Sequence, residues 1–252
     1  MQERNAGGDS PLTARSVLAS TLLGVEPPEL PVAALVHMAG LFGINENRAR
    51  VALSRMVGSG EATTDGAGRY RLAGHLLERQ RRQAASRAGH TRPWRGDWRL
   101  VVVVTAGSTA GVRARRRRAL HLARLAELRE GVWLRPDNID VRLDGDLARD
   151  LSVFTGAAPG SPDSLAGRLW DLDGWARRAQ ALVAALDAAS TTGPTDLAPG
   201  FVLSAAVLRH LQSDPLLPPE LVPGTWPGPR LRRVYDDWDA RYRRVLGRWG
   251  AR

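Results

Sequence analysis

The chain has 252 residues, of which 43% are hydrophobic and 25% charged, enough for two or three domains with buried cores, and this excludes a chain disordered throughout. It contains no cysteine, so disulfide scaffolds, thiolate zinc sites and cysteine nucleophiles are excluded together. All 36 basic residues are arginine, and against 26 acidic ones they give a formal charge of +10. Such an excess suits a phosphate-bearing partner, because arginine keeps its charge at any working pH and offers a planar fork to phosphate and guanine edges.

No stretch approaches the ~20 apolar residues of a spanning helix, and residues 1–10 lack the basic-then-apolar order of a secretion signal. A soluble, cytoplasmic protein with no membrane partner is therefore expected. The positive charge is concentrated early: residues 44–95 carry eleven arginines against Glu46, Glu61, Asp65 and Glu78. A second run, Arg113 with Arg115, Arg116, Arg117 and Arg118, precedes a more acidic half.

In chain order, residues 13–24 read as a helix, ended by Pro27, Pro28 and Pro31. Val32, Leu35, Val36, Met38, Ala39 and Leu41 mark a second helix that stops at Gly43, a residue suited to the left-handed backbone of a helix end. Asn45 is a natural N-cap for a third, in which Ala49, Leu53, Met56 and Val57 form one buried face. Its remaining surface offers Asn47, Arg48, Arg50, Ser54 and Arg55 to bases or phosphates. Residues 61–64, the turn Asp65-Gly66-Ala67-Gly68 and residues 69–72 then read as a hairpin carrying Arg69 and Arg71. Helix, helix, turn, helix and hairpin describe a winged helix, with the third helix in the major groove and the hairpin arginines on backbone or minor groove.

Residues 76–88 continue as an arginine-rich helix, separated by Pro93 and Gly96 from a β-branched run, Leu100-Val101-Val102-Val103-Val104, that predicts a buried central strand over residues 98–105. A helix over residues 112–129, a strand at 131–134 and strand-like segments at 139–143 and 151–155 suggest a ferredoxin-like α+β sandwich. Beyond Pro159 the chain reads as helices at 165–189, 201–212 and 231–249. The expected architecture is α+β: a winged helix over residues 10–75, a helical linker over 76–96, the ferredoxin-like domain over 97–160 and a helical C-terminal domain over 161–252.

Three segments together resemble the PaaX-type transcriptional repressors of phenylacetate catabolism. They are the opening Thr13-Ala14-Arg15-Ser16-Val17-Leu18 with Leu41-Phe42-Gly43-Ile44 and Arg50-Val51-Ala52-Leu53-Ser54-Arg55-Met56; Gly131-Val132-Trp133-Leu134-Arg135-Pro136-Asp137-Asn138; and Asp214-Pro215-Leu216-Leu217-Pro218-Pro219-Glu220-Leu221-Val222-Pro223 with Trp226-Pro227-Gly228. The last is the most specific. The resemblance implies a homodimeric repressor on double-stranded operator DNA, a Cas2-like central fold, and release by an aryl-acyl-CoA effector, phenylacetyl-CoA in the type case. For that effector, Arg115, Arg116, Arg117 and Arg118 are candidates for the phosphates and Trp133 for the acyl group. The chain departs from the family pattern at Glu61-Ala62, usually an apolar or aromatic pair, and at Ala205-Ala206, often His-Glu.

Enzymatic chemistry finds few tools. There is no GxxxxGK[ST] loop, GxSxG elbow or HExxH motif, and His37, His75, His90, His121 and His210 are widely spaced, so no metal, cofactor or catalytic residue is expected. Asp171 and Asp173 begin a helix, where acids suit the dipole. The alternatives are a metal-dependent nuclease of Cas2-like fold, against which the carboxylate-free Val104-Thr105-Ala106 at the end of the first central strand argues, and an effector-independent nucleic-acid-binding protein.

Overall fold

The computed structural model describes residues 13–250 apart from Ala106, Arg142, Asp144 and Pro159. Residues 1–10, read above for a secretion signal, and Ala106 therefore lie outside the described residues. The chain is mixed helix and sheet with two antiparallel sheets, and no helix among the described residues is long and apolar enough to cross a membrane. It divides into two compact units, one of residues 1–84, 188–206 and 236–252, the other of residues 85–187 and 207–235.

The first unit opens with α1 (Ala14–Leu23), capped by Thr13, whose hydroxyl accepts from Ser16 N at 3.1 Å. β1 (Glu29–Pro31) follows in the proline-rich connection that the sequence marked only as a break. It is an edge strand, a place where proline is tolerated because half the backbone groups need no partner in the ladder. α2 (Val32–Gly40) ends three residues before the expected Gly43, with Leu41 as its cap; Gly43 sits in the turn that follows at φ +70°, and Ile44 N returns to Ala39 O at 3.1 Å. α3 (Glu46–Gly58) is capped by Asn45, whose Oδ1 accepts from Arg48 N at 2.9 Å. β2 (Ala62–Thr64) and β3 (Arg69–Leu72) form the hairpin, with Asp65 Oδ1 accepting from Ala67 N and Arg69 N at 2.8 and 2.9 Å. Its sheet order is β1-β3-β2. The core beneath gathers Val17, Leu18, Leu22, Leu35, Leu53, Met56 and Leu72, each side chain of this kind contributing about 1.5–3 kcal/mol on burial. α4 (Gly74–Ala88) leaves the unit along the chain.

The second unit is built on β4 (Asp97–Val103), α5 (Ala110–Leu122), β5 (Ala126–Arg129), β6 (Val132–Pro136), α6 (Gly145–Ala148) and β7 (Leu151–Ala157), in sheet order β5-β6-β4-β7. Three expectations fail here. The helix expected over residues 112–129 ends at Leu122: Arg124 takes φ +62°, and β5 pairs with β6. Ala119, Leu122, Leu125 and Leu128 match helical spacing, yet Leu122 and Leu128 are exposed while Leu125 and Ala126 are buried. Residues 139–143 form no strand among their described members, β5 supplying the pairing instead. The helix expected over 165–189 is two, α7 (Pro162–Leu169) and α8 (Leu172–Ala188), because Asp171 turns its carboxylate onto Gly174 N at 2.8 Å and starts a new helix. That is the capping role expected of an acid there.

Both sheet faces are covered. Val101, Leu120, Leu125, Trp133 and Leu151 pack on one, and Trp98, Leu134, Leu165, Ala166, Leu217 and Leu221 on the other. Between them Arg135 is wholly buried, its guanidinium donating to the carbonyls of Pro136 (3.0 Å) and Arg124 (3.1 Å) and to Asn138 Oδ1 (2.8 Å). Asn138 Nδ2 donates to Leu216 O at 2.9 Å, and Asp214 Oδ1 accepts from Leu216 N at 2.9 Å. Burial pushes the Arg135 pKa down to about 9, which still leaves it charged at neutral pH. Two of the segments singled out by resemblance thus interlock through one buried polar network. α9 (Leu197–Gln212) and α10 (Gly228–Gly250) complete the chain, and in the first unit Tyr242 donates to Leu197 O at 2.7 Å.

Candidate nucleic-acid interface

α3 buries Ala49, Ala52, Leu53 and Met56 against the core of the first unit, and this fixes what the opposite face presents. Asn47, Arg50, Val51, Ser54 and Arg55 are exposed on it at the i, i+3, i+4, i+7 and i+8 spacing of one helix surface, and Arg48, beside Asn47, is exposed too. Asn47, Arg48, Val51 and Arg55 line a groove of about 550 Å³, whose other wall includes Thr13 and Arg15 at the start of α1. Arg50 behaves differently: its Nε donates to Glu46 Oε1 at 2.7 Å, one turn earlier, and it stays on the flank.

Val51 and Arg15 are groove residues that reasoning from polar side chains on α3 passed over. Val51, 41% exposed, is an apolar contact point among donors. Arg15 is positioned by Glu61, which accepts from its Nε at 2.8 Å and also pairs with Nη2. The Arg15 guanidinium holds the Glu61 carboxyl below the usual carboxylate range, and His75 lies 3.5 Å away on the same carboxylate. The family departure at Glu61 is therefore a paired charge, while Ala62 beside it is buried in the core.

The hairpin places Arg69 and Arg71 two residues apart on β3, and one carboxylate serves both. Glu29, opposite Arg71 on β1, accepts from Arg69 Nε at 2.5 Å and from Arg71 Nε at 2.7 Å. Both arginines remain exposed, and their bonds hold Glu29 below its ordinary pKa, Arg69 contributing most. The Glu29–Arg69–Arg71 cluster thus sums to a single positive charge from two forks and one acid.

The second arginine run divides on α5. Arg116 is buried, donating to Asp150 Oδ2 at 2.9 Å and Ser108 Oγ at 3.0 Å, while Arg117 pairs with Glu127 at 2.5 Å. Arg115 and Arg118 are exposed. Arg117, Arg118, His121, Leu122 and Gln212 line a shallow groove of about 440 Å³. Trp133 is 2% exposed and meets the His121 ring edge-on at 4.9 Å, so it stands in the core beneath that groove. The carboxylate missing from the end of β4 is supplied in space by Asp150, which accepts from Thr105 Oγ1 at 2.8 Å and is held low by that bond and by Arg116. Among the described residues no group of three or more His, Asp or Glu side chains could hold a metal ion.

Family models match two stretches: a PaaX-like protein model covers residues 13–76, and a model of the PaaX-like protein C-terminal domain covers residues 170–248. The chain is also similar to a solved structure, the uncharacterized protein Rv0674 from Mycobacterium tuberculosis, at 42% sequence identity and a TM-score of 0.76, over 94% of this chain and 99% of that one. No curated protein matches.

Proposed function

The chain belongs to the PaaX-like protein family, and on that premise we propose that it is a sequence-specific transcriptional repressor that binds double-stranded operator DNA in the cytoplasm as a homodimer. In this reading α1 to α3 with the sheet β1-β3-β2 are a winged helix, α3 being the recognition helix and the β2–β3 hairpin the wing. The sheet β5-β6-β4-β7, with one helix after β4 and another before β7, is a ferredoxin-like, Cas2-like sandwich. The observation that carries the reading is the outer face of α3, where Asn47, Arg48, Val51, Ser54 and Arg55 stand exposed on a rigidly capped helix beside a groove. Arginine forks reach guanine O6 and N7 in a major groove, asparagine reaches adenine, and valine suits a thymine methyl.

One winged helix covers too few base pairs to find a site among a genome's competitors, so two copies on a two-fold site are required. The effector is an aryl- or acyl-CoA thioester such as phenylacetyl-CoA, with Arg117 and Arg118 at the groove on α5 available to its phosphates. Trp133, being buried, would act by backing that groove rather than by touching the ligand. The protein is a regulator without cofactor or catalytic residue; both oxygens of Asp150, the one carboxylate near the end of β4 named above, are already engaged by Thr105 and Arg116.

A mobility shift on the DNA upstream of the chain's own gene, with and without a panel of aryl-CoA thioesters, tests this. The expected result is saturable binding to one duplex that unrelated DNA does not compete away and that a thioester weakens. Binding of equal strength to every duplex, or none, overturns the repressor reading.

A further inference from the structure

α5 carries charge of one sign only. Residues 98–126 hold seven arginines and no acid, and five of the seven stand on this helix: Arg113, Arg115, Arg116, Arg117 and Arg118. The other arginine-rich helices set an acid one turn before a base, Glu46 with Arg50 on α3, Glu78 with Arg82 on α4 and Asp239 with Arg243 on α10. On α5 the neighbours are alike instead. Arg113 and Arg117 are four residues apart and Arg115 and Arg118 three, so each pair repels across one turn. Arg113 follows directly on a first turn without an acid, at the end of the helix where the dipole favours one. Local electrostatics oppose this helix, and a face kept against them is of the kind that a ligand of opposite charge completes.

Two of the five charges are matched from elsewhere in the second unit. Arg116 is buried on Asp150, and Arg117 reaches Glu127 on β5. Arg113 turns to a backbone carbonyl, that of Ser108. Arg115 and Arg118 are exposed, and no acid among the described residues pairs with either. Three positive charges therefore remain on α5 after its ion pairs, against two on α3, where Glu46 offsets one of three arginines, and one on the Glu29 cluster.

The residues between the arginines decide which partner fits. Gly111 and Ala114, each one turn before Arg115 and Arg118, are exposed, with open space over Gly111, so a backbone can come close to the helix. The helix holds no Phe, Tyr or Trp, and Leu122 is its one large exposed apolar side chain. Protein partners are gripped through aromatic and aliphatic anchors, whereas a nucleic-acid interface is polar and strongly positive. From Arg113 to His121 the basic row is about 12 Å long at 1.5 Å per residue. A duplex sets one negative charge about every 1.7 Å of its axis and answers the whole row, which a single phosphate group does not.

We propose that the outer face of α5 is a second nucleic-acid surface, on which the phosphate backbone of duplex DNA lies against Arg115 and Arg118 without any reading of bases. It rests on the reading above for the identity of the partner and adds to it a contact in the second unit. Arg118 also lines the groove given above to thioester phosphates, so duplex and thioester contest one guanidinium.

The full-length double variant Arg115→Gln/Arg118→Gln tests it. Salt titrations of the dissociation constant are run on a duplex from upstream of the chain's own gene and on a scrambled duplex of equal length. The log–log slope should fall by about 1.8 on both, roughly 0.9 for each lost phosphate contact, with the ratio of the two affinities unchanged. The melting temperature should hold or rise, because the substitutions relieve repulsion within α5. Arg115→Lys/Arg118→Lys keeps both charges and should restore the slope. Arg177→Gln/Arg230→Gln, which removes two exposed arginines of α8 and α10, should leave it as it was. An unmoved slope in the glutamine variant of α5, no recovery with lysine, or an equal fall in the α8–α10 control overturns the proposal. Binding to polyglutamate that neither duplex displaces would make the partner an acidic protein and overturn it too. A chain that prefers its own duplex while the slope stays put keeps the repressor reading and loses this one, whereas no preference with a slope that falls does the reverse. Binding to neither duplex ends both.

Discussion

Glu29 accepts a hydrogen bond from Arg69 Nε at 2.5 Å while its second oxygen takes Arg71, so the two wing arginines share a carboxylate from β1. A phosphate reaching the wing competes with that carboxylate. Glu29→Gln removes the competitor and should tighten binding to every duplex alike, with a steeper salt dependence and the same sequence preference. Arg69→Ala should lower the log–log salt slope by about 0.9, the increment for one phosphate contact. Salt titrations of the dissociation constant read both, and unchanged slopes in the two variants would take the wing away from the DNA backbone.

On α3 the three arginines are not equivalent. Arg48 and Arg55 line the groove, whereas Arg50 is held on the flank by Glu46. Replacing Arg48 or Arg55 by alanine should cost about 1–3 kcal/mol on the preferred duplex and relax the requirement at one position of each half-site, as loss of a bidentate base contact does. Arg50→Ala should change sequence preference least. Binding of each variant to a set of single-base-changed duplexes discriminates, and a uniform loss across the set would make Arg48 and Arg55 backbone contacts.

α3 and its hairpin are legible in the sequence because every local signal agrees there: Asn45 as cap, one apolar face and Asp65-Gly66 at the turn. The misread elements lack such agreement. Leu128 in β5 and Leu125 just before it stand at positions that fit a helix as well as a strand, and only pairing with β6 decides between them. β1 hides among prolines whose cost vanishes at an edge. The charge pairing of the candidate site was the least readable, since Glu29 lies forty residues from Arg69 and Glu61 forty-six from Arg15, distances that no window of sequence spans. The Glu46–Arg50 pair, by contrast, is one helical turn and could be read directly.

Arg135 should be among the residues least tolerant of substitution. Its buried guanidinium satisfies Pro136 O, Arg124 O and Asn138 Oδ1 at once, and Asn138 in turn holds Leu216. Arg135→Lys keeps a charge but lacks the fork, and its three donors fall short of these three acceptors together with the Pro215 and Leu216 carbonyls at 3.5 and 3.4 Å; it should destabilise by about 3 kcal/mol or more, a fall in melting temperature on the order of 10 °C for a chain of this size. Calorimetry checks it; a shift within 2 °C or so of wild type would show that the network is dispensable.

His210 gives the fold a sensitivity to acid whose sign is fixed by its surroundings. Its ring stacks on Trp175 at 4.4 Å, and Trp175 stacks on Trp226 at 4.6 Å, so the imidazole is half-buried against an indole pair. Burial lowers its pKa below the ordinary 6.5; the contact of its Nε2 with Trp175 O at 3.1 Å and the charge of Asp214 oppose this, and Arg178 adds to it. The folded chain therefore holds His210 neutral at a pH where the unfolded chain has begun to protonate it. As pH falls through about 6.5 the unfolded state takes up the proton first, and stability declines until the folded-state pKa is passed. Between pH 8 and pH 5 the urea midpoint should drop less in His210→Gln than in wild type, since glutamine offers a neutral polar group that does not titrate. An equal drop in the two proteins would assign the acid response to other groups, and an NMR titration placing the imidazole pKa at or above 6.5 would exclude the sign argued here.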